Sequence, residues 1–514
     1  MGAIYLGIDM GTTSAKALAV DECGVIRAQA QQGYPMRHPH PGWAEQEPED
    51  YWRALIAIVR DCVEQCCAQG YETADIAALA MSTQGDTLIL ADAQGRALAP
   101  AMSWMDMRPE AEFRRLLAAQ NQDFWYRETG MRLVVGSSAC AVAWIAAHRP
   151  DVWAAVRRVG AVPDYLTVRL CGEFVTDTPS ASWSPYFTPQ TRSWSAPVLE
   201  LLGVSVAQLP RVVSSGTTIG RLLPEAAAEL GLSPSTVLVA GAFDQAAAAL
   251  GAGAAAGGRS VLSCGTAWVL YAVASALPSE ATADASAGAG DEDGAGDAGA
   301  MLPLCCHTSP ADWGVLVPFT GGAAYDWCRR NFRFDTGGSD GIPKGEAGSD
   351  EATDDRQGFE RDALYFLPYF YGAGAPDWQA EARGTLLGLT MAHTGVDVER
   401  AVQRGIACET RQSVELAEAQ GAVIPCLRMV GGATKSQVWP QMVADAIGRP
   451  IEVSACSEAA AYGAAMLAAG PRSEAWQEMA PLAVVTPSHE GALAMEAYYA
   501  RYLHYRRGVL KLYS

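Results

Sequence analysis

The sequence predicts an α/β protein built as two related halves that face each other across a ligand cleft. Short apolar runs alternate with helical-looking segments through much of the chain, the pattern of sheets layered with helices. A strand, a Gly/Thr-rich turn and a second strand open the chain at residues 4–20, and the same pattern returns at 260–273. The 514 residues, half of them hydrophobic, also exceed what one core can hold, and length alone suggests about three domains. Two large halves fit the repeated pattern better.

In chain order, residues 4–8 form an apolar run ending in Asp9, and 15–20 form a second run closed by Asp21-Glu22-Cys23-Gly24. A helix is expected over 49–68, with Pro48 just ahead of an acidic start. Strands are expected at 76–81, 87–91, 161–163 and 236–240. The pattern resets near 240, giving 260–264, Gly265-Thr266 and 267–273, and later the strand 427–432 running into glycines. Residues 274–300 and 335–361 are rich in Gly, Ala, Ser and acids without apolar periodicity, and are expected as solvated surface insertions.

Charge and composition exclude several classes. A formal charge of −20 opposes general affinity for the nucleic-acid backbone. No apolar run approaches the roughly 18 residues needed to span a bilayer, and the opening residues lack a signal-peptide pattern, so a cytoplasmic protein is expected. The 13 cysteines are scattered without paired CxxC spacing and read as reduced structural thiols. The seven histidines are too dispersed for a ligand set, which argues against a metal-dependent phosphohydrolase.

Four elements can carry chemistry. Asp9-Met10-Gly11-Thr12-Thr13-Ser14-Ala15-Lys16 reads either as an ordinary hairpin or as a phosphate turn with a Mg²⁺-binding carboxylate at its edge. No P-loop pattern occurs. Gly241-Ala242-Phe243-Asp244-Gln245 places an acid after an apolar run, either capping a helix or projecting into a cleft as a base. Ser263-Cys264-Gly265-Thr266-Ala267 is a second Gly/Thr turn. Val430-Gly431-Gly432 with Lys435-Ser436-Gln437 lets backbone approach a flat ligand. Turn, acid, turn and diglycine follow one another across the two halves.

In that order the motifs resemble the FGGY carbohydrate kinases, of the actin-like ATPase superfamily. The resemblance includes Pro41-Gly42-Trp43-Ala44-Glu45-Gln46, Trp104-Met105-Asp106-Met107-Arg108, Arg383-Gly384 with Gly388-Leu389, and Glu458-Ala459-Ala460-Ala461-Tyr462-Gly463. It implies two actin-like (ribonuclease H-like) ATPase domains with an interdomain cleft. Residues 1–243 would form the sugar and Mg/phosphate side, 244–470 the adenosine side, and 471–514 a C-terminal helical extension. It further implies ATP and Mg²⁺ as cofactors and Asp244 as the base. Asp9 would hold the metal; Thr12, Thr13, Lys16, Gly265 and Thr266 would surround the phosphates. Gly431, Gly432 and Gln437 would line the adenosine pocket. A non-catalytic or chaperone-like ATP-binding protein of the same superfamily shares the first turn but not the Asp244-Gln245 or Trp104 elements.

The acceptor is read from Gln84-Gly85-Asp86, from Trp104 and Asp106, and from Asp244-Gln245. Asp86 is expected to accept hydrogen bonds from two substrate hydroxyls or to cap a turn. Gly85 is expected to leave extra room. Trp104 would pack on the carbon skeleton or lie in the core, while Asp106 would bind hydroxyls or pair with Arg108. Gly136 stands where glycerol kinases carry tyrosine, implying a missing wall and a pocket too wide for glycerol. D-Xylulose is therefore the expected acceptor, with other ketoses and polyols such as L-xylulose, erythritol, glycerol or gluconate as alternatives. No nucleic acid or membrane partner is expected, and a homodimer is the candidate assembly.

Overall fold

The computed structural model describes residues 2–254, 259–275, 301–332, 363–436, 438–476 and 481–513. The segments 274–300 and 335–361 lie outside these, apart from Ala274 and Ser275, and so does Gln437.

Two mixed sheets organise the chain. The first holds β1 (Ile4–Met10), β2 (Ser14–Asp21), β3 (Ile26–Gly33), β4 (Ile76–Thr83), β5 (Thr218–Arg221) and β6 (Val237–Phe243), in the order β5-β6-β4-β1-β2-β3. The second holds β7 (Ser260–Cys264), β8 (Ala267–Ala274), β9 (Leu304–Cys306), β10 (Trp313–Thr320), β11 (Leu427–Gly431), β12 (Ile451–Val453) and β13 (Ala483–Val485). Its order is β9-β10-β8-β7-β11-β12-β13.

The sheets follow one plan. In each, the first strand pairs antiparallel with the second across the Gly/Thr turn (β1 with β2, β7 with β8). On its other side it pairs parallel with a strand far along the chain (β4, β11), which pairs parallel with the next (β6, β12). An antiparallel strand then closes that edge (β5, β13). The repeat expected from the two turns is thus present as topology. The segment after residue 470 supplies β13 as well as a helix, so it is woven into the second sheet.

Helices cover the sheets because their apolar stripes match the sheet faces. In α1 (Pro48–Ala68), Tyr51, Leu55, Ile58, Val59 and Cys62 recur at helical spacing and are buried with Leu6, Ile8 and Leu79. Pro48 fits the first turn, where its missing N–H is not needed. Further helices are α2 (Ser138–His148), α3 (Asp244–Gly251), α4 (Gly395–Ala419), α5 (Ala459–Ala469) and α6 (His489–Leu510). No described helix is long and apolar enough to cross a membrane.

The halves join where α5 lies on α3 and on β1. Small residues make this contact possible. A Cβ at Gly463 would stand 2.0 Å from the Ala247 carbonyl oxygen, one at Gly251 2.0 Å from that of Ala459, and one at Gly7 1.9 Å from that of Ala461. Such distances are far inside van der Waals contact, so backbone meets backbone only while these positions carry hydrogen.

Candidate active site

Parallel strands present their carboxyl ends to ligands, and here those ends carry the expected acids. Asp9 on β1 is opposite Ser82 on β4, and Ser82 is opposite Ala242 on β6, two residues before Asp244. The Ser82 hydroxyl donates to Asp9 Oδ1 at 2.9 Å. Asp244 is the first residue of α3, one position after Phe243, whose side chain makes no capping hydrogen bond. The Asp244 Oδ1 is buried and without a partner among the described residues. Asp244 thus stands at the start of the helix, just past the cap position. Burial raises Asp244 to about 7, with the nearby Asp9 charge adding to the shift and hydrogen bonds from Gln245 opposing it. Burial likewise raises Asp9 to about 6, opposed by the Ser82 hydrogen bond and the Lys16 charge. Two buried carboxylates, one of which raises the proton affinity of the other, suit proton transfer beside a cation.

The turn after β1 is fixed from behind. Gly11 N–H donates to Ser14 O at 3.1 Å, the Tyr34 hydroxyl donates to the Gly11 carbonyl, and Gln46 Nε2 donates to Thr12 O at 2.9 Å. Thr13 stays exposed. Lys16, expected at the phosphates, instead reaches across the halves to Glu458 at 2.6 Å, both about 30% exposed. The opposing edge is built from β7 and β11, where Cys264 and Gly431 are paired. Gly265-Thr266 and Gly431-Gly432 therefore sit side by side. Gly431 adopts φ +96, a conformation that favours glycine, and it rests on Cys264 O. Nothing within 3.4 Å would meet a Cβ at Gly265, and Thr266 is exposed. This edge offers backbone and hydroxyl groups, and its two turns carry no acid.

The acceptor side departs from the sequence reading at several residues. Gln84 is buried with Nε2 on the Tyr51 hydroxyl (3.3 Å) and Oε1 on Thr87 Oγ1 (3.3 Å), so its amide braces the turn and does not line the cleft. Gly85 leaves no extra room: a Cβ there would lie 1.9 Å from Trp183 Cδ1 and 2.9 Å from Phe243 Cε2. Asp86, at φ +55, directs Oδ2 to the Ser138 N–H at the start of α2 (3.1 Å). Its buried Oδ1 has no partner among the described residues, and the residue lines a cavity of about 30 Å³ shared with Ser138, Asp164, Thr176 and Tyr186. Neither Asp9 nor Asp244 borders it.

Asp106 is likewise no hydroxyl binder. It is buried, with both oxygens on the Arg108 guanidinium and Oδ2 also accepting from Ala44 N–H at 2.7 Å. Arg108 in turn pairs with Glu45 (2.7 Å) and lies 3.5 Å over the Trp43 ring. The Trp43 and Trp104 motifs are thus clasped into one unit. Trp104 itself is 47% exposed, with Nε1 3.4 Å from Thr12 Oγ1, so it is not core. Gly136 is not a gap either, since a Cβ would stand 2.0 Å from the Trp104 carbonyl oxygen. Gln245 stays beside Asp244. The sequence reading missed Ser82 and Trp183. Ser82 could have been found from its place one residue beyond the predicted strand, while Trp183 carries no local signal.

Among the described residues no cluster of three or more His, Cys, Asp or Glu could hold a metal ion. A cation at Asp9 would have to keep water and phosphate ligands, as Mg²⁺ does.

Comparison with known proteins accounts for this arrangement. The model of the FGGY family of carbohydrate kinases, N-terminal domain, matches residues 4–251, and that of the C-terminal domain matches 212–470. The chain is 28% identical over 515 residues to a xylulose kinase of Escherichia coli (strain K12), covering 99% of each. It is 30% identical over 472 residues to a glycerol kinase of Bordetella parapertussis, covering 90% of this chain and 87% of that one. A crystal structure titled as a xyloylose kinase from Brucella ovis superposes with a TM-score of 0.83 at 26% identity, covering 99% of this chain and 100% of that one. Its two sheets are therefore the paired actin-like, ribonuclease H-like domains, and the chain belongs to the FGGY family of carbohydrate kinases, enzymes that phosphorylate sugars.

Proposed function

We propose that the chain transfers the γ-phosphoryl group of ATP, with Mg²⁺, to a hydroxyl of a small open-chain sugar, D-xylulose giving D-xylulose 5-phosphate. The buried Asp244 carboxylate, with its Oδ1 unpartnered among the described residues, on the sheet that also carries Asp9, supports this reading.

Asp244 takes the proton of the acceptor hydroxyl as that oxygen bonds to the γ-phosphorus, while the bond from phosphorus to the β-phosphate bridging oxygen breaks and ADP leaves. Gln245, hydrogen-bonded to Asp244, holds the carboxylate in aim. Asp9 would hold the cation, and Ser82 fixes the Asp9 oxygen that does not have to face it. Mg²⁺, when bound, neutralises charge on the phosphate oxygens. Backbone at Gly11, Thr12 and Thr13 on one edge and at Gly265 and Thr266 on the other would cradle the phosphates. Gly431 and Gly432 would let the backbone lie against adenosine, and the interdomain cleft would exclude water. We further propose the division at 243/244, since β6 ends there and α3 begins the contact with α5.

A second acceptor class, three- and four-carbon polyols, is favoured by one observation: the spaces beside Gly85 and Gly136 are filled. The test is ADP release from ATP and Mg²⁺ with D-xylulose, L-xylulose, erythritol, glycerol and gluconate. The highest kcat/KM is expected with D-xylulose, and the phosphorylated carbon can be located by NMR. Acceptor-independent ADP release alone would overturn the assignment.

A further inference from the structure

Gly85 lies in the turn that follows β4, on the strand edge that also carries Asp9 and Asp244. A side chain at position 85 would leave the backbone toward a volume already held by the Trp183 indole, with Cδ1 at 1.9 Å and Nε1 at 2.6 Å from the Cβ position. Trp183 is stacked on Phe243, with ring centroids 4.6 Å apart and planes 14° from parallel. Phe243 is the residue bonded to Asp244. The indole is therefore tied by one contact to the turn at Gly85 and by another to the ring of the residue that precedes Asp244.

Two further features place this indole against a ligand. Trp183 and Gly85 are only partly buried, unlike the core tryptophans Trp125 and Trp268. The Trp183 N–H has no hydrogen-bond partner among the described residues, yet it is not among the fully enclosed unpartnered groups. A buried indole N–H ordinarily finds an acceptor, so one left free beside a partly open turn has water or a ligand hydroxyl to serve. The flat ring also matches the C–H surface of an open carbon chain.

We propose that Trp183, using the space that glycine at 85 leaves, forms the wall of the acceptor pocket and sets the length of chain it takes. This rests on the kinase reading and deepens it. The pair acts as a size exchange: a small residue on the turn and a large one on the segment after Val175–Asp177. The pocket so made suits short acyclic acceptors, with the indole N–H donating to a hydroxyl distant from the reacting one.

The test compares Trp183→Ala and Trp183→Phe with the wild-type full chain in ADP release with glycerol, erythritol, D-xylulose and D-gluconate, alongside ATP affinity. Trp183→Ala should shift the ratio of kcat/KM for the longest over the shortest productive acceptor about tenfold or more. Most of that shift should fall in KM, with ATP affinity unchanged. Trp183→Phe keeps a ring on Phe243 and should shift the same ratio in the same direction but less. Gly85→Ala alone should weaken acceptor binding, and adding Trp183→Ala should restore it, a coupling that two independent structural defects would not give. An equal loss for every acceptor, or a double variant no better than Gly85→Ala, overturns the proposal while leaving the kinase reading intact. Wild-type protein with no acceptor-dependent ADP release overturns both.

Discussion

Two pairs of aspartates hold their protons unusually tightly, yet they stand in different settings. Asp9 stands near the end of β1 and Asp244 just past the end of β6, with β4 between them, and the charge of Asp9 is one cause of the raised proton affinity of Asp244. Asp86 and Asp164 face a small, partly open cavity of about 30 Å³, and burial is the leading cause of their rise to about 7. The magnitudes are alike. What separates the pairs is position: one lies at strand ends of the first sheet, the other at a cavity lined also by Ser138 and Tyr186, where Asp164 Oδ2 accepts from the Ala161 N–H at 2.7 Å. A raised carboxylate marks burial first, and becomes a candidate for catalysis only when a ligand can reach it.

The largest effect is expected from Asp244→Asn. Losing the proton acceptor should reduce kcat by about 100-fold or more while ATP binding persists. Retained turnover above about a tenth, a barrier change of only ~1.4 kcal/mol, would erase the distinction between the pairs. Asp9→Asn should act next, raising the Mg²⁺ concentration needed for half-maximal rate by roughly tenfold. It should also move the rising, acid limb of the kcat/KM profile to lower pH, because the Asp9 charge is among the causes that raise Asp244. A limb that stays in place would separate the two acids.

The smallest effect belongs to the cavity. A folded state that keeps a proton on Asp164 up to about 7, against an ordinary value of 3.8, loses stability as pH rises through that window. Asp164→Asn should therefore leave the melting temperature nearly unchanged near pH 3.5 and raise it progressively to pH 7, by roughly 2–4 °C for each ~1 kcal/mol in a domain of this size. Equal shifts at both pH values would show that the carboxylate is not the source.

The legible parts of the molecule were those written locally. Asp9 with Gly11, Gly265 with Thr266, and Gly431 with Gly432 each sit within a few residues of a strand end, where sequence and structure share one pattern. The repeat of strand, turn and strand carried into the topology for the same reason. The acceptor side was misread because its shape depends on residues distant in the chain. Gly85 reads as space until Trp183 is placed beside it, and Gly136 reads as a gap until the Trp104 carbonyl closes it. Asp86 turns toward Ser138 because its backbone takes φ +55, which composition does not announce. Asp106 was the nearer miss, since its partner Arg108 stands two residues away and was the alternative already in view.

The helix α3 begins on Asp244 and ends on Gly251, eight residues that run from the proposed proton acceptor to the backbone contact with α5. For anyone wishing to redesign the enzyme, this short rod couples two engineering problems. A library randomised along it would sample turnover and the seating of the halves together, and few members would improve one without harming the other. Retuning the acceptor belongs instead at positions 85 and 183, which can be diversified while that rod is left as it is.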